Sequence, residues 1–147
     1  MSLEKRLMED FKTSMKNKDT VRKNTITLVR AAIKQIEIDE RREVPEMEII
    51  GIISKQLKEK RTVIEEFQRG NRQDLIDTTN QEIDILLDYL PKQLSEEEVE
   101  NIVEETIKET GASSMKDIGL VMKSVMPKVE GKTDGNVVSK IVKNKLT

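Results

Sequence analysis

Apolar residues recur every three or four positions along most of the chain, the spacing that lines one face of an α-helix. This spacing predicts a first helix over residues 3–16 with Ser2 as its N-cap, and a second over residues 20–42 capped by Asp19 or Thr20. The apolar stripe of the second helix is wider, so we expect that helix to be the more buried of the two. No segment has a convincing strand pattern, and the sequence therefore predicts an all-α fold.

A long third helix is predicted between Pro45 and Gly70, because proline suits a first helical turn and glycine a C-terminal stop. Its apolar seam is interrupted only by Lys60. Two interpretations of that lysine stay open: a snorkelling or ion-paired side chain at the edge of the bundle, or a binding role. A fourth helix is expected to be capped near Asp74 and to end before Pro91.

The clearest boundary in the sequence follows Pro91. Ser95 and Glu98 have the spacing of a capping box, in which each side chain bonds the other residue's backbone N–H at the start of a helix. We therefore predict two units, an N-terminal bundle of about four helices over residues 1–92 and a small C-terminal three-helix unit over residues 95–147.

Three more helices are predicted in the C-terminal unit. The fifth should stop at Gly111, and Asp134 should cap the seventh. The sixth should be capped by Ser114 and ended by Pro127, with Met115 on its apolar face.

The residue inventory restricts the chemistry. Charged residues make up 37% of the chain and aromatic residues 2%, a balance typical of long solvated helices. Histidine, cysteine and tryptophan are all absent. The usual proton shuttle, the thiolate nucleophile and the nitrogen or sulfur metal ligands are therefore missing, and no glycine-rich nucleotide motif occurs. We expect no cofactor, no metal and no catalysis by this chain alone.

The hydropathy of the chain bears on its location. The N-terminus is charged within its first six residues, and no apolar run approaches the roughly 18 residues that a membrane span requires. The sequence thus predicts a cytoplasmic protein with no membrane partner.

Positive charge is concentrated at the C-terminal end. Up to Thr110 the net charge is −6, whereas Gly111 to Thr147 holds seven lysines and three acids, a net of +4. Such a surface attracts a polyanion, with an ordinary solvated face as the equally weighted alternative. No aromatic residues are interleaved, so a nucleic acid is expected to be held through its phosphates and its shape.

Glycines mark two positions in this region. Gly119 falls inside a predicted helix, where glycine costs about 1 kcal/mol relative to alanine, so either close helix packing or close approach of a partner's backbone is expected. Gly131 and Gly135 bracket Lys132 just before a helix N-terminus, a geometry that presents backbone N–H groups to an anion. An Asp134 cap occupies some of those donors, so we expect a shape-specific contact site instead of a phosphate cradle.

Two stretches of the sequence resemble the signature of the YqeY family. The central stretch reads FQRGNRQDL over residues 67–75 and YLPKQLS over residues 89–95. The tail contains GAS at 111–113, MPKV at 126–129 and DG at 134–135. The likeness covers essentially the whole chain, and Thr79 departs from it, standing where the family pattern has an acid.

The resemblance implies that the C-terminal unit is similar to the tail of the GatB subunit of a glutamine-dependent aminoacyl-tRNA amidotransferase. That tail contacts tRNA, and the reaction steps lie in other domains. The resemblance also implies an association with carbon–nitrogen ligase activity that uses glutamine as amido donor. We therefore expect a tRNA-binding or amidotransferase-like accessory protein, not catalytic by itself, with tRNA or a larger protein complex as partner. The candidate RNA-binding residues are Lys123, Lys128, Lys132, Lys140, Lys143, Gly119, Gly131 and Gly135.

Two other functions stay open. One is a protein-interaction module whose exposed helices dock on a larger enzyme or a ribosomal partner, with Arg61 and Arg72 as the residues to substitute. The other is an amidotransferase in its own right, in which Ser113 or Ser114 is activated by a lysine.

Overall fold

A computed structural model describes the whole chain, from Met1 to Thr147. It contains seven α-helices, one short 3-10 helix and no strand, which confirms the predicted all-α class. The chain divides into two compact units, the N-terminal unit Met1–Leu90 and the C-terminal unit Pro91–Thr147. The helices are α1 (Leu3–Lys16), α2 (Thr20–Glu40), α3 (Glu46–Arg69), α4 (Gln73–Leu87), α5 (Glu96–Thr110), α6 (Ile118–Val129) and α7 (Gly135–Leu146), with the 3-10 helix at Met115–Asp117.

Like α3, helix α2 packs against all three other helices of the N-terminal unit. Its Ile26 and Val29 are almost completely buried, as the wide apolar stripe predicts. Leu86 of α4 is fully buried against the same core. The core residues of this unit are Leu3, Leu7, Ile26, Val29, Ile33, Val44, Ile49, Ile53, Leu57, Ile83, Ile85, Leu86 and Tyr89.

The lysine that interrupts the seam of α3 is ion-paired. Lys60 Nζ lies 2.7 Å from Glu82 Oε2 of α4, and both side chains are largely removed from solvent. The paired-lysine interpretation is thus confirmed, and its structural role does not exclude the binding role.

A polar cluster holds the end of the N-terminal unit. Tyr89 is buried, its hydroxyl donates to Asp10, and the Arg6 guanidinium lies 4.6 Å from the centre of its ring. Burial and, secondarily, the bond to Asp10 raise the pKa of Tyr89 well above its ordinary value. Arg6 also donates to the Asp88 carbonyl at 3.0 Å, so α1 is tied to the residues that follow α4.

The core of the C-terminal unit is built mainly from valine. Short β-branched side chains from α5, α6 and α7 fill the space between three closely packed helices. The capping box is present: Ser95 Oγ accepts from the Glu98 N–H, and Glu98 accepts from the Ser95 N–H. That backbone bond lowers the pKa of Glu98. Gly111 ends α5 with a left-handed φ of 70°, as predicted. The core residues are Val99, Val103, Val121, Val125, Val129, Val138, Ile141, Val142 and Leu146.

Two predicted helix ends in the C-terminal unit are wrong. Pro127 lies inside α6, which continues to Val129 because Val129 is buried in the core and the Glu130 N–H bonds the Met126 carbonyl at 2.9 Å. Ser114 caps the 3-10 helix that precedes α6, and Met115 in that helix is 42% exposed instead of buried.

Three predicted ends in the N-terminal unit also shift. Helix α2 stops at Glu40 because Arg41 adopts a left-handed conformation with φ 50°. Helix α4 begins one residue after its N-cap Arg72, so Asp74 lies in its first turn and is not the cap. The same helix ends at Leu87, and tighter three-residue turns continue to Leu90.

Candidate nucleic-acid interface

Helix α6 presents one candidate lysine to solvent. Lys123 lies between the fully buried Val121 and Val125, two residues from each, so it faces away from the core. Its side chain is exposed and takes part in no hydrogen bond or ion pair. Lys123 is therefore free to approach an anion.

Helix α7 presents two more. Lys140 and Lys143 are three residues apart, so they are neighbours on one face of the helix, opposite the buried Val138 and Val142. Both are exposed and unpaired, and no acidic residue occurs within α7. With Asn136 they border a shallow depression of about 330 Å³. Lys140 and Lys143 thus give this face of α7 two adjacent positive charges that no acidic side chain neutralises.

Lys128 has a different environment from these lysines. Its Nζ donates to Thr106 Oγ1 and to Glu109 Oε2, both at 2.9 Å, and so bridges α6 to α5. Lys145 is paired in the same way with Glu104. Their hydrogen bond raises the pKa of Lys145 and lowers the pKa of Glu104, which favours the charged form of each. A lysine that already neutralises an acid gains less from a phosphate than a free one. Of the candidate residues, Lys128 is therefore the weakest phosphate ligand.

Helix α5 offsets the basic tail. Seven of its residues are acidic, so the C-terminal unit as a whole contains nine lysines and ten acids, a net of −1. The excess of lysine is therefore confined to α6, α7 and the loop between them. The acids of α5 are Glu96, Glu97, Glu98, Glu100, Glu104, Glu105 and Glu109.

The glycine loop is packed at one end and open at the other. Gly131 is buried, and its carbonyl accepts from Gln93 Nε2 at 2.8 Å. The Lys132 carbonyl accepts from the Leu94 N–H at 2.8 Å, and the Lys132 N–H donates to Val129. Around Gly135, in contrast, an added Cβ would meet no atom within 4 Å.

Two backbone donors of this loop and the start of α7 are already used. The Lys132 N–H is used inside the turn, and Asp134 accepts from the Asn136 N–H at 2.9 Å as the cap of α7. A shape-specific contact site instead of a phosphate cradle therefore stays the prediction, with the Lys132 side chain as the loop's cation.

Replacing Gly131 by alanine should destabilise the C-terminal unit by about 1–2 kcal/mol. The residue has φ 76°, a conformation that places an L-residue's Cβ against its own carbonyl. The measurement is the free energy of unfolding from denaturant titration. Gly135→Ala is the matched control, since Gly135 lies in a normal helical conformation with open space around it. Equal effects of the two changes would contradict the assigned role of Gly131.

Gly119 does not serve close packing within the chain. It is exposed in the first turn of α6, and an added Cβ would meet no atom within 4 Å. The packing interpretation is therefore wrong, because this face of α6 points away from α5 and α7. Close approach of a partner's backbone stays a prediction. Leu120 beside it is 49% exposed, an apolar surface position that the sequence pattern did not single out.

The two serines proposed as nucleophiles have local structural partners. The Ser113 N–H donates to Asp117 Oδ2 at 3.0 Å, and Ser114 Oγ accepts from the Lys116 N–H at the start of the 3-10 helix. Both serines therefore take part in the turn that precedes the 3-10 helix.

Comparison with known proteins identifies the family. The model of the Yqey-like protein family matches residues 4–146, nearly the whole chain. The chain belongs to the YqeY family. Three curated relatives of this YqeY protein are all named Altered inheritance of mitochondria protein 41, mitochondrial. The relative from Lachancea thermotolerans is 33% identical, over 86% of this chain and 67% of its own length.

The other two relatives also match most of the chain. The protein from Kluyveromyces lactis is 32% identical over 86% of this chain and 69% of its own length. The protein from Pyrenophora tritici-repentis is 28% identical over 92% of this chain and 76% of its own length. None of the helices of this YqeY protein has the length and apolar character needed to span a bilayer.

Proposed function

We propose that this YqeY protein binds tRNA through the exposed lysines of α6 and α7 and acts as an accessory to a larger tRNA-modifying enzyme. The observation that carries the proposal is the pair Lys140 and Lys143, adjacent, exposed and free of any acidic partner. Lys123 and Lys132 add positive charge from α6 and from the loop. The likeness of the C-terminal unit to the tail of GatB supports tRNA as the polyanion.

Recognition in this proposal is electrostatic and depends on shape. The three aromatic residues of the chain, Phe11, Phe67 and Tyr89, all belong to the N-terminal unit. The C-terminal unit thus has no ring on which a base can stack, and lysines contact phosphates without reading sequence. A folded RNA with closely spaced backbone strands fits such a surface better than an extended single strand.

The proposed role is to hold or position tRNA while a partner enzyme performs the chemistry. The family's association with carbon–nitrogen ligase activity, in which glutamine is the amido donor, belongs in this proposal to the complex. The chain itself has no histidine or cysteine, and no group of three or more carboxylates is placed to hold a metal ion. Its contribution is binding, and the reacting groups come from the partner.

The first experiment is the salt dependence of tRNA binding by the full chain. If three phosphates are contacted, affinity should fall roughly 40-fold between 50 and 200 mM salt, with a linear plot of log affinity against log salt. Filter binding with total tRNA measures it, and a single-stranded homopolymer of equal length is the comparison. An affinity that is flat across this range, or equal for both RNAs, would overturn the proposal.

A protein-docking function is the second candidate, favoured by apolar side chains that the N-terminal unit leaves in solvent. Ile38 is 62% exposed and Met15 is 55% exposed. Arg61 is exposed and a suitable substitution site, whereas Arg72 is paired with Asp74 at 3.1 Å. Loss of a co-purifying protein on Ile38→Asp or Arg61→Ala, with tRNA affinity unchanged, would favour this function over the first.

The cellular compartment of the protein is also a proposal. We propose the cytoplasm, and the mitochondrion is the competing location because the relatives carry that word in their names. Cell fractionation, followed by detection of the native protein, distinguishes the two.

A further inference from the structure

A polar hollow in the N-terminal unit belongs to no function described so far. It lies among α2, α3 and α4 and measures about 390 Å³. Its apolar wall is formed by Leu28, Val63 and Phe67, and its polar wall by Gln56, Glu59, Lys60, Thr79 and Glu82. This volume is in the lower range of small-molecule sites.

The polar wall contains a desolvated ion pair. Lys60 Nζ lies 2.7 Å from Glu82 Oε2, with the two side chains only 16% and 20% exposed. Removing two charges from water costs free energy that their attraction offsets only in part, so an apolar pair in the same seam is often at least as stable. The pair is therefore weak evidence of a role in stability alone. The pair also leaves two ammonium N–H donors of Lys60 and the second carboxylate oxygen of Glu82 without a protein partner.

Gln56 adds an unmet acceptor to the same wall. Its Nε2 donates to the Leu28 carbonyl at 3.2 Å, which fixes the orientation of the amide. Its Oε1 is buried and has no hydrogen-bond partner. An unpaired buried acceptor destabilises the folded state.

We propose that this hollow binds a small zwitterion of the α-amino acid class with an apolar side chain. In such a molecule the ammonium nitrogen and the nearer carboxylate oxygen are roughly 2.7 Å apart, since both groups are attached to one carbon. That separation matches the distance between Lys60 Nζ and Glu82 Oε2. Laid antiparallel on the pair, the ligand's carboxylate accepts from Lys60 and its ammonium donates to Glu82, without breaking the existing bond.

The rest of the hollow fits the rest of such a ligand. Gln56, whose amide is held by its bond to the Leu28 carbonyl, lines the polar side of the hollow. The apolar side chain packs on Leu28, Val63 and Phe67; Leu28 is 52% exposed and has contact area to bury. Charge pairing and apolar packing then act on opposite ends of one small molecule, which selects against ligands with one feature alone.

The test is titration of the full chain with leucine, followed by amide chemical shifts in NMR. We expect shifts confined to residues around the hollow in α2, α3 and α4. Leucinamide lacks the carboxylate, 4-methylpentanoate lacks the ammonium, and 6-aminohexanoate has both charges too far apart. Each should bind at least tenfold more weakly than leucine, because each loses charge-assisted hydrogen bonds.

A double variant separates recognition from folding. Lys60→Met with Glu82→Leu replaces the pair by apolar side chains, so it should keep the helical content and lose leucine binding by tenfold or more. The control is Arg42→Met with Glu48→Leu, which removes an exposed ion pair elsewhere in the unit and should leave leucine binding unchanged. Absence of shifts at tens of millimolar leucine, equal binding of the half-ligands, or unchanged binding by the Lys60/Glu82 variant would each overturn the proposal.

Discussion

Lys140→Glu with Lys143→Glu should lower tRNA affinity by roughly 60-fold or more at 0.1 M salt. Each phosphate contact contributes close to tenfold at this salt concentration through counterion release, and glutamate adds repulsion to the loss of two contacts. The two lysines have no acidic partner, so their full charge is available to a phosphate. The slope of log affinity against log salt should also decrease by about 2.

The controls for this variant use lysines with other environments. Lys12→Glu with Lys16→Glu makes the same change of net charge on the exposed surface of α1, and a small effect there shows that position matters beyond total charge. Lys128→Ala should weaken binding much less than Lys140→Ala, because Lys128 is paired with Glu109 at 2.9 Å. Equal losses for α1 and α7 variants would mean that the protein attracts RNA through its general field and has no defined interface.

Leu86→Ala should lower the free energy of unfolding of the N-terminal unit by about 2–5 kcal/mol. Leu86 lies in α4, and its side chain is fully buried in the core of the unit. Its truncation therefore loses apolar burial and leaves a cavity. Loss of this size is a large part of the stability of a small domain. Denaturant titration followed by far-ultraviolet circular dichroism measures it.

Hydrogen exchange locates the effect of that substitution. The two hydrophobic cores have no residue in common, so amides of α3 and α4 should exchange faster while those of α5, α6 and α7 stay protected. Leu28→Ala is the matched control, because Leu28 is 52% exposed in the same unit and its loss should cost no more than about 0.5 kcal/mol. A uniform acceleration along the whole chain would show that the two units unfold together.

Local signals in the sequence were sufficient for most of the fold. The apolar period placed all seven helices, and short-range chemistry fixed several of their ends: the Ser95–Glu98 capping box needs residues three apart, and Gly111 acts through its own φ. Lys60 was recognised as an edge residue because a charge in an apolar seam requires a partner. Its partner Glu82, 22 residues away, became evident only in the structure.

The errors arose where tertiary packing overrode local preference. Pro127 stops a helix that has no other support, but burial of Val129 holds α6 in a helical conformation for two more residues. The bond from Gln93 to the Gly131 carbonyl, across 38 residues, was likewise outside what the local pattern could predict. Such long-range contacts leave no periodic trace in the sequence.

The sequence located the basic segment of the candidate interface but not the environment of each lysine. Counting lysines located the basic segment, and exposure of Lys123, Lys140 and Lys143 agrees with it. Counting could not show that Lys128 and Lys145 are neutralised by acids of α5. Their partners Glu109 and Glu104 are 19 and 41 residues earlier in the sequence. Net charge over a segment therefore overestimates the charge that a ligand meets.

The position of Tyr89 affects how the protein is observed in solution. It is the single tyrosine of a chain without tryptophan, and it lies at the end of the N-terminal unit with its hydroxyl bonded to Asp10. Its emission should therefore respond to melting of the first unit, whereas the valine core of the second unit contains no chromophore. A fluorescence trace that reaches its unfolded baseline thus reports nothing about α5, α6 and α7, which can still be folded at that point.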